Sequence, residues 1–247
     1  MRTIATLSLP AFEVLWEGLR AGSVPYPFEI SQHGETLDER ARIKSAVHAD
    51  LERRSLARRG RPEPELEDAL GLFARPDLRI IAMGMPDVEG EVLLRACVVA
   101  RGGYAVLAVQ DDTSVTLTLV RDNALAAALV SVLPQKRPGP GKPVTVPASA
   151  FEQERPRQGI TSSVRGGGNE DLKVLHAMLA SPMVGTGHFT VERDRQRFPA
   201  ITWFDTVQGR YVNMPARNGP DWITVAPADN HGLAQHLTRV LAMATTR

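Results

Sequence analysis

A block of four strand-like runs appears twice in this chain, and few folds accommodate that repetition. The first copy reads as Leu78–Met83, Val92–Val99, Tyr104–Val109 and Val115–Val120, broken by turn formers at Gly84, Pro86, Gly90, Gly102-Gly103 and Asp111-Asp112. Val92, Leu94, Ala96 and Val98 share one face. Val115, Leu117 and Leu119 alternate with Thr116 and Thr118, the period of two of a strand with unlike faces. At an offset of 106 Pro76 falls on Pro182; at 107 Tyr104 falls on Tyr211 and Asp122-Asn123 on Asp229-Asn230. Strand-like runs recur at His188–Val191, Ala200–Phe204, Tyr211–Met214 and Trp222–Val225. An apolar helical stripe precedes each block (Leu66, Ala69, Leu70, Phe73; then Leu172, Leu175, Met178, Leu179). Another follows it (Ala126, Leu129, Val130, Leu133; then Leu233, Leu237, Val240, Leu241). The order of elements matches better than the letters. It reads as two copies of helix, four strands, helix in an α+β chain.

With 247 residues the chain can bury a large core. We expect a single domain 1–247 with an N-terminal half 1–133, a Pro/Gly-rich connection 134–169 and a C-terminal half 170–247. The connection carries Pro134, Pro138, Pro140, Pro143, Pro147 and Pro156 with the Gly166–Gly168 run, and reads mostly as a mobile linker. Within it Val144–Val146 suits an edge strand, and Ser149 suits the cap of a turn around Phe151.

Basic and acidic residues balance at 29 to 28, so no global field favours nucleic acid or an anionic membrane. The local cluster Arg53-Arg54 and Arg58-Arg59-Gly60-Arg61 reads as the solvated face of a helix that also carries Asp50 and Glu52. The single cysteine, Cys97, excludes an internal disulfide and sits in a strand run as a buried, inert thiol. The first ten residues lack a signal-peptide pattern and no run is long enough to span a bilayer, so a cytoplasmic protein without direct membrane insertion is expected.

Along the chain, Thr6–Leu9 suits a short strand, and Pro10 opens a helix with Phe12, Leu15, Trp16 and Leu19 on one face. Val24–Phe28 is expected to be extended, since each proline disfavours helix at the residue before it. Thr36 and Glu39 form a capping box, in which hydroxyl and carboxylate satisfy free N–H groups at a helix start. That helix is expected to run to about Arg59, with Ile43, Val47 and Leu51 inward.

The signatures of catalysis are missing. Arg165–Asn169 lacks the Lys-Ser/Thr of a phosphate loop. The six histidines show no metal-ligand spacing, and His176 reads as a half-buried helix residue. Asp111-Asp112 reads as a turn, and Ser162-Ser163 has no activating neighbour. No cofactor or metal is expected. What stands out instead is apolar: Met83, Met85, Trp203, Phe204, Tyr211, Met214 and Trp222 lie on or near the strands, either as core or as an adaptable binding surface.

The segment Gly34–Arg40, with Phe12, Leu15-Trp16, Leu19, Pro25–Phe28, Leu56–Gly60 and Leu70–Pro76, resembles the EspG family, secretion-associated chaperones of type VII (ESX) secretion in actinobacteria. The likeness is specific in the first third and continues as matching element order. It implies a central antiparallel sheet shared by two quasi-symmetric halves and flanked by helical bundles. It also implies a non-enzymatic chaperone for a helical secretion substrate, PE/PPE-like or WXG100-like. The proline-rich connection departs from what a PPE-binding relative would carry, leaving the client open. A related non-secretory interaction module and a small hydrolase in the seam between halves stand as alternatives.

In the resembled family the client meets the sheet, a loop between early sheet strands and the C-terminal helices. Here the corresponding loop is Met83–Gly90. Met83, Met85 and Val88, with Leu233 and Leu237, are expected to form an apolar surface for the tip of a helical client. The competing reading is that Met83 and Met85 finish a core strand.

Overall fold

The computed structural model describes residues 1–149, 170–194, 196–216 and 221–245. The turn expected around Phe151, the Ser162-Ser163 pair and the Arg165–Asn169 fragment lie outside them. The architecture is mixed α and β, built on a large antiparallel sheet. Contacts divide the chain into two compact units. The first comprises Met1–Met83, Leu94–Val132 and Glu192–Gln196; the second Gly84–Leu93, Leu133–Val191 and Arg197–Arg247.

In the first unit, strand β1 (Arg2–Ser8) leads straight into helix α1 (Leu9–Gly18). Helix α2 (Leu37–Arg53) opens on the anticipated capping box: Glu39 N–H donates to Thr36 Oγ1 at 3.2 Å, and Thr36 N–H donates back to Glu39 Oε2 at 3.3 Å. Caps of this kind are worth about 0.5–2 kcal/mol. Arg40, on the same helix, bridges Glu13 and Glu17 of α1, locking the two helices together. Burial is the largest single influence on the Glu13 carboxyl and pulls it up, but the hydrogen bonds from Arg40 and from His33, with the Arg40 charge, together hold it below the ordinary carboxylate range.

Two local expectations fail here for reasons of backbone conformation. Helix α2 ends at Arg53, not near Arg59. Ser55 turns left-handed (φ 57°), and the chain doubles back as a small hairpin, β2 (Ala57–Arg58) with β3 (Arg61–Pro62). Pro25–Phe28 closes into a turn rather than an extended run, with Phe28 N–H donating to the Pro25 carbonyl at 3.1 Å.

Helix α3 (Pro64–Ala74) follows, then β4 (Leu78–Asp87), β5 (Val92–Arg101), β6 (Tyr104–Gln110), β7 (Ser114–Val120) and the short helix α4 (Leu125–Val130). These strands form a meander with β1 on the far side of β7. Phe12, Trp16, Phe28 and Phe73 form a chain of ring contacts with centroids 6.0 Å apart, in the core with Cys97, Val99, Val106, Val115 and Leu117. Burial pushes the Cys97 thiol up to about 12, which makes it a poor nucleophile. Asp111 makes the anticipated turn, its carboxylate accepting from the backbone N–H groups of Thr113 and Ser114 at 2.8 Å.

The second unit takes Gly84–Asp87 of β4, then β8 (Val144–Pro147), helix α5 (Glu170–Leu179), β9 (Met183–Arg193, through Val191), β11 (Ile201–Thr206), β12 (Gly209–Pro215), β13 (Trp222–Pro227) and helix α6 (Asn230–Thr245); β10 is the short pair Gln196–Arg197. The strand order is β9-β11-β12-β13-β8, which makes β8 the anticipated edge strand. In chain order Pro64–Val130 runs helix, four strands, helix, and Glu170–Thr245 runs helix, five strands counting the short β10, helix. Leu175 and Met178 of α5 pack with Val144, Val146, Phe204, Tyr211 and Val225, while His176 lies exposed on the same helix rather than half-buried.

The described part of the connection is not a loose linker. Gly139 N–H donates to the Arg210 carbonyl, Arg210 N–H to the Arg137 carbonyl, and Tyr211 Oη to the Pro140 carbonyl at 3.1 Å. The segment lies so close to β12 that a Cβ on Gly139 would overlap the Tyr211 ring. Prolines read as punctuation instead shape a strap whose polar groups are satisfied by β12.

Candidate partner-binding site

Of the residues singled out in the sequence, Trp203, Phe204 and Tyr211 are core, each at most 3% exposed. Trp203 lies beside an arrangement the sequence reading missed. Asp205 and Arg210 sit opposite each other across β11 and β12, and both are fully buried. The guanidinium donates to both carboxylate oxygens at 2.7 and 2.8 Å, to Asn230 Oδ1 at 2.7 Å and to the Pro134 carbonyl at 3.1 Å. It also lies 5.2 Å from the centroid of the Trp203 ring. Asn230 in turn donates to the Leu133 carbonyl. The network ties two strands, the strap and the start of α6 into one rigid block, and its saturation makes it structural rather than catalytic.

The segment read as a loop, Met83–Gly90, is mostly strand. Strand β4 continues through Asp87, and the reversal is confined to Val88–Glu91, where Gly90 N–H donates to Asp87 Oδ1 and Glu91 has φ 51°. Glycine permits this extension. Gly84 lies against the backbone of Thr186 and Gly187 of β9, where a Cβ would collide, and a Cβ on Gly185 would come within 2.7 Å of the Pro86 carbonyl oxygen. Gly84→Ala is therefore expected to cost about 1–3 kcal/mol by overpacking, read as a lower denaturant midpoint with unchanged m.

At the tip the apolar residues come out into solvent. Val88 is 39% exposed, Val92 50% and Leu93 49%, beside the acidic side chains of Asp87, Glu89 and Glu91. Val88 N–H donates to the Val184 carbonyl, placing this tip at the start of β9. The same end of β9 pairs Met183 with Thr206, next to the tight turn Val207-Gln208, where Val207 is 64% exposed. β4 and β11 flank β9, so these two hairpin tips stand about 10 Å apart at one end of the second unit's sheet. Met85 is half-buried just behind the tip.

The other named residues stand elsewhere. Met83 is half-buried and packs against the first unit's core, as the core-strand reading had it. Leu233 and Leu237 are fully buried and carry the packing of α6, offering no atoms to a partner in this conformation. Val92, Leu93 and Val207 were missed. Alternation put Val92 on the buried face of Leu94, and only its place at the tip exposes it.

No helix among the described residues is long and apolar enough to cross a membrane. No curated relative matches the chain. A solved structure does: the Mycobacterium tuberculosis type VII secretion system chaperone EspG5 in complex with a PE25–PPE41 dimer. At 17% identity the likeness covers 96% of this chain and 95% of that one, with a TM-score of 0.67, so it is one of fold. The EspG family model matches residues 8–239, nearly the whole length, and the chain accordingly belongs to the EspG family.

Proposed function

We propose that this chain is a chaperone of type VII secretion that binds a helical substrate, keeps it soluble and directs it to the secretion machine. The carrying observation is the pair of apolar hairpin tips, Val88, Val92 and Leu93 with Val207, left exposed at one sheet end of a chain of this family. A partner that covers them gains roughly 25 cal/mol per Å² of apolar surface removed from water. Met85 lies behind the patch and shapes it, while Leu233 and Leu237 support α6. The substrate is PE/PPE-like or WXG100-like in build and meets the tips with the end of a helical hairpin; the similar chaperone EspG5 is in complex with a PE25–PPE41 dimer. This reading places the protein in the cytoplasm, assigns it no catalysis, and treats the halves 1–133 and 170–247 as quasi-symmetric copies joined by 134–169.

Coexpression tests it. A helical type VII substrate from the same host, insoluble when made alone, should become soluble and co-elute with this chain at an integral ratio. An unchanged soluble fraction with no co-elution would contradict the reading.

A further inference from the structure

The basic run placed on a helix by its sequence is instead a rigid arginine hairpin in the first unit. Arg58 and Arg61 are direct cross-strand partners, joined by a two-residue turn in which Arg59 and Gly60 both take positive φ (50° and 75°). Opposed residues in such a pair stand about 5 Å apart, and like charges there repel. The hairpin is nevertheless firmly held. Ala57 is buried, Gly60 N–H donates to Glu52 Oε1 at 2.9 Å, and Glu63 N–H donates to the Leu56 carbonyl at 2.9 Å. Elsewhere in this unit Arg2, Arg40, Arg53, Arg54, Arg79 and Arg95 each meet a carboxylate side chain. Arg58, Arg59 and Arg61 make no such ion pair among the described residues.

Arg61 also lines a cavity of about 580 Å³, with Arg20, Lys44 and His48 among its walls. Glu17 and Glu67 line it too, and Glu17 is already engaged by Lys44 and Arg40. His48 Nδ1 is buried without a hydrogen-bond partner. The hairpin therefore holds three exposed arginines, two of them directly opposed, that meet no carboxylate side chain among the described residues, with Arg20 and Lys44 on the adjoining cavity wall.

We infer that the Arg58–Arg61 hairpin and this cavity bind a glutamate- or aspartate-rich segment of a second protein, distinct from the helical substrate. Guanidinium forks match carboxylates in bidentate geometry. No exposed large apolar residue lies on the hairpin to enter a membrane. The surface lies in the first unit and does not depend on the substrate reading.

The test measures fluorescence anisotropy of a labelled peptide of alternating glutamate and serine, with its glutamine counterpart as control. The full chain should bind the acidic peptide in a salt-sensitive manner and ignore the control. Arg58→Gln with Arg61→Gln should weaken binding by about tenfold or more, without lowering Tm, because the repulsion goes as well. A charge-matched variant, Arg42→Gln with Arg121→Gln, should bind like wild type. Arg59→Gln repeats the test without touching the cross-strand pair and should also weaken binding. Equal losses in the hairpin and charge-matched variants would overturn the inference, as would no binding by wild type. Hairpin-dependent binding to phosphatidylglycerol vesicles without peptide binding would overturn it in favour of lipid.

Discussion

Replacing Arg210 by methionine should cost about 3–5 kcal/mol of stability, the largest single loss expected in this chain, because it strands a fully buried carboxylate. Asp205 would lose both hydrogen bonds from the guanidinium. Asn230 Oδ1 and the Pro134 carbonyl would lose theirs. Apolar replacement of both charged partners, Asp205→Leu with Arg210→Met, should recover much of the loss, since a buried ion pair and a well-packed apolar pair are often close in stability. Equilibrium urea unfolding of the two single variants and the double variant gives the coupling directly. Additive losses would show that the two charges do not depend on each other and would refute the network as drawn. The consequence also reaches the strap, because Pro134, Arg137, Gly139 and Pro140 all bond to residues 208–211 or to the Arg210 side chain.

That network also shows where sequence reading stops. The strands at Tyr104–Val109 and Val115–Val120, the Thr36–Glu39 cap and the Asp111 turn were legible because neighbours in sequence determine them. Burial of Asp205 and Arg210 depends on what covers them, and the covering strap comes from the distant Leu133–Pro140 segment. A trace existed all the same: two opposite charges flanking the two-residue turn Val207-Gln208 inside an otherwise uncharged pair of strands. Gly84 and Pro86 misled in the other direction. They read as loop punctuation, yet Gly84 is what lets β4 run on against β9. Arg59-Gly60 reads as the end of a helix, whereas left-handed residues at Ser55, Arg59 and Gly60 build a hairpin there.

The candidate surface was half legible. Val88 belonged to the segment chosen for its apolar residues next to glycines, and it is exposed. Leu233 and Leu237, spaced by one helical turn, are core, which is the ordinary fate of such a stripe. Exposure of Val92, Leu93 and Val207 follows from chain reversal at the two tips, which periodicity does not encode.

The second large effect falls on binding. Val88→Asp together with Leu93→Asp places two charges on the exposed tip and, if this tip is an anchor for the substrate, should cost at least about 2 kcal/mol, roughly thirtyfold in Kd. Both side chains already stand 39% and 49% exposed, so Tm should barely move. Wild-type affinity should vary weakly with salt, because the substrate meets apolar side chains rather than the charges of Asp87, Glu89 and Glu91. Isothermal titration of a purified helical substrate into wild type and this double variant is the decisive measurement. Loss of binding by a variant that melts like wild type is the predicted result; undiminished affinity in that folded variant would contradict the site.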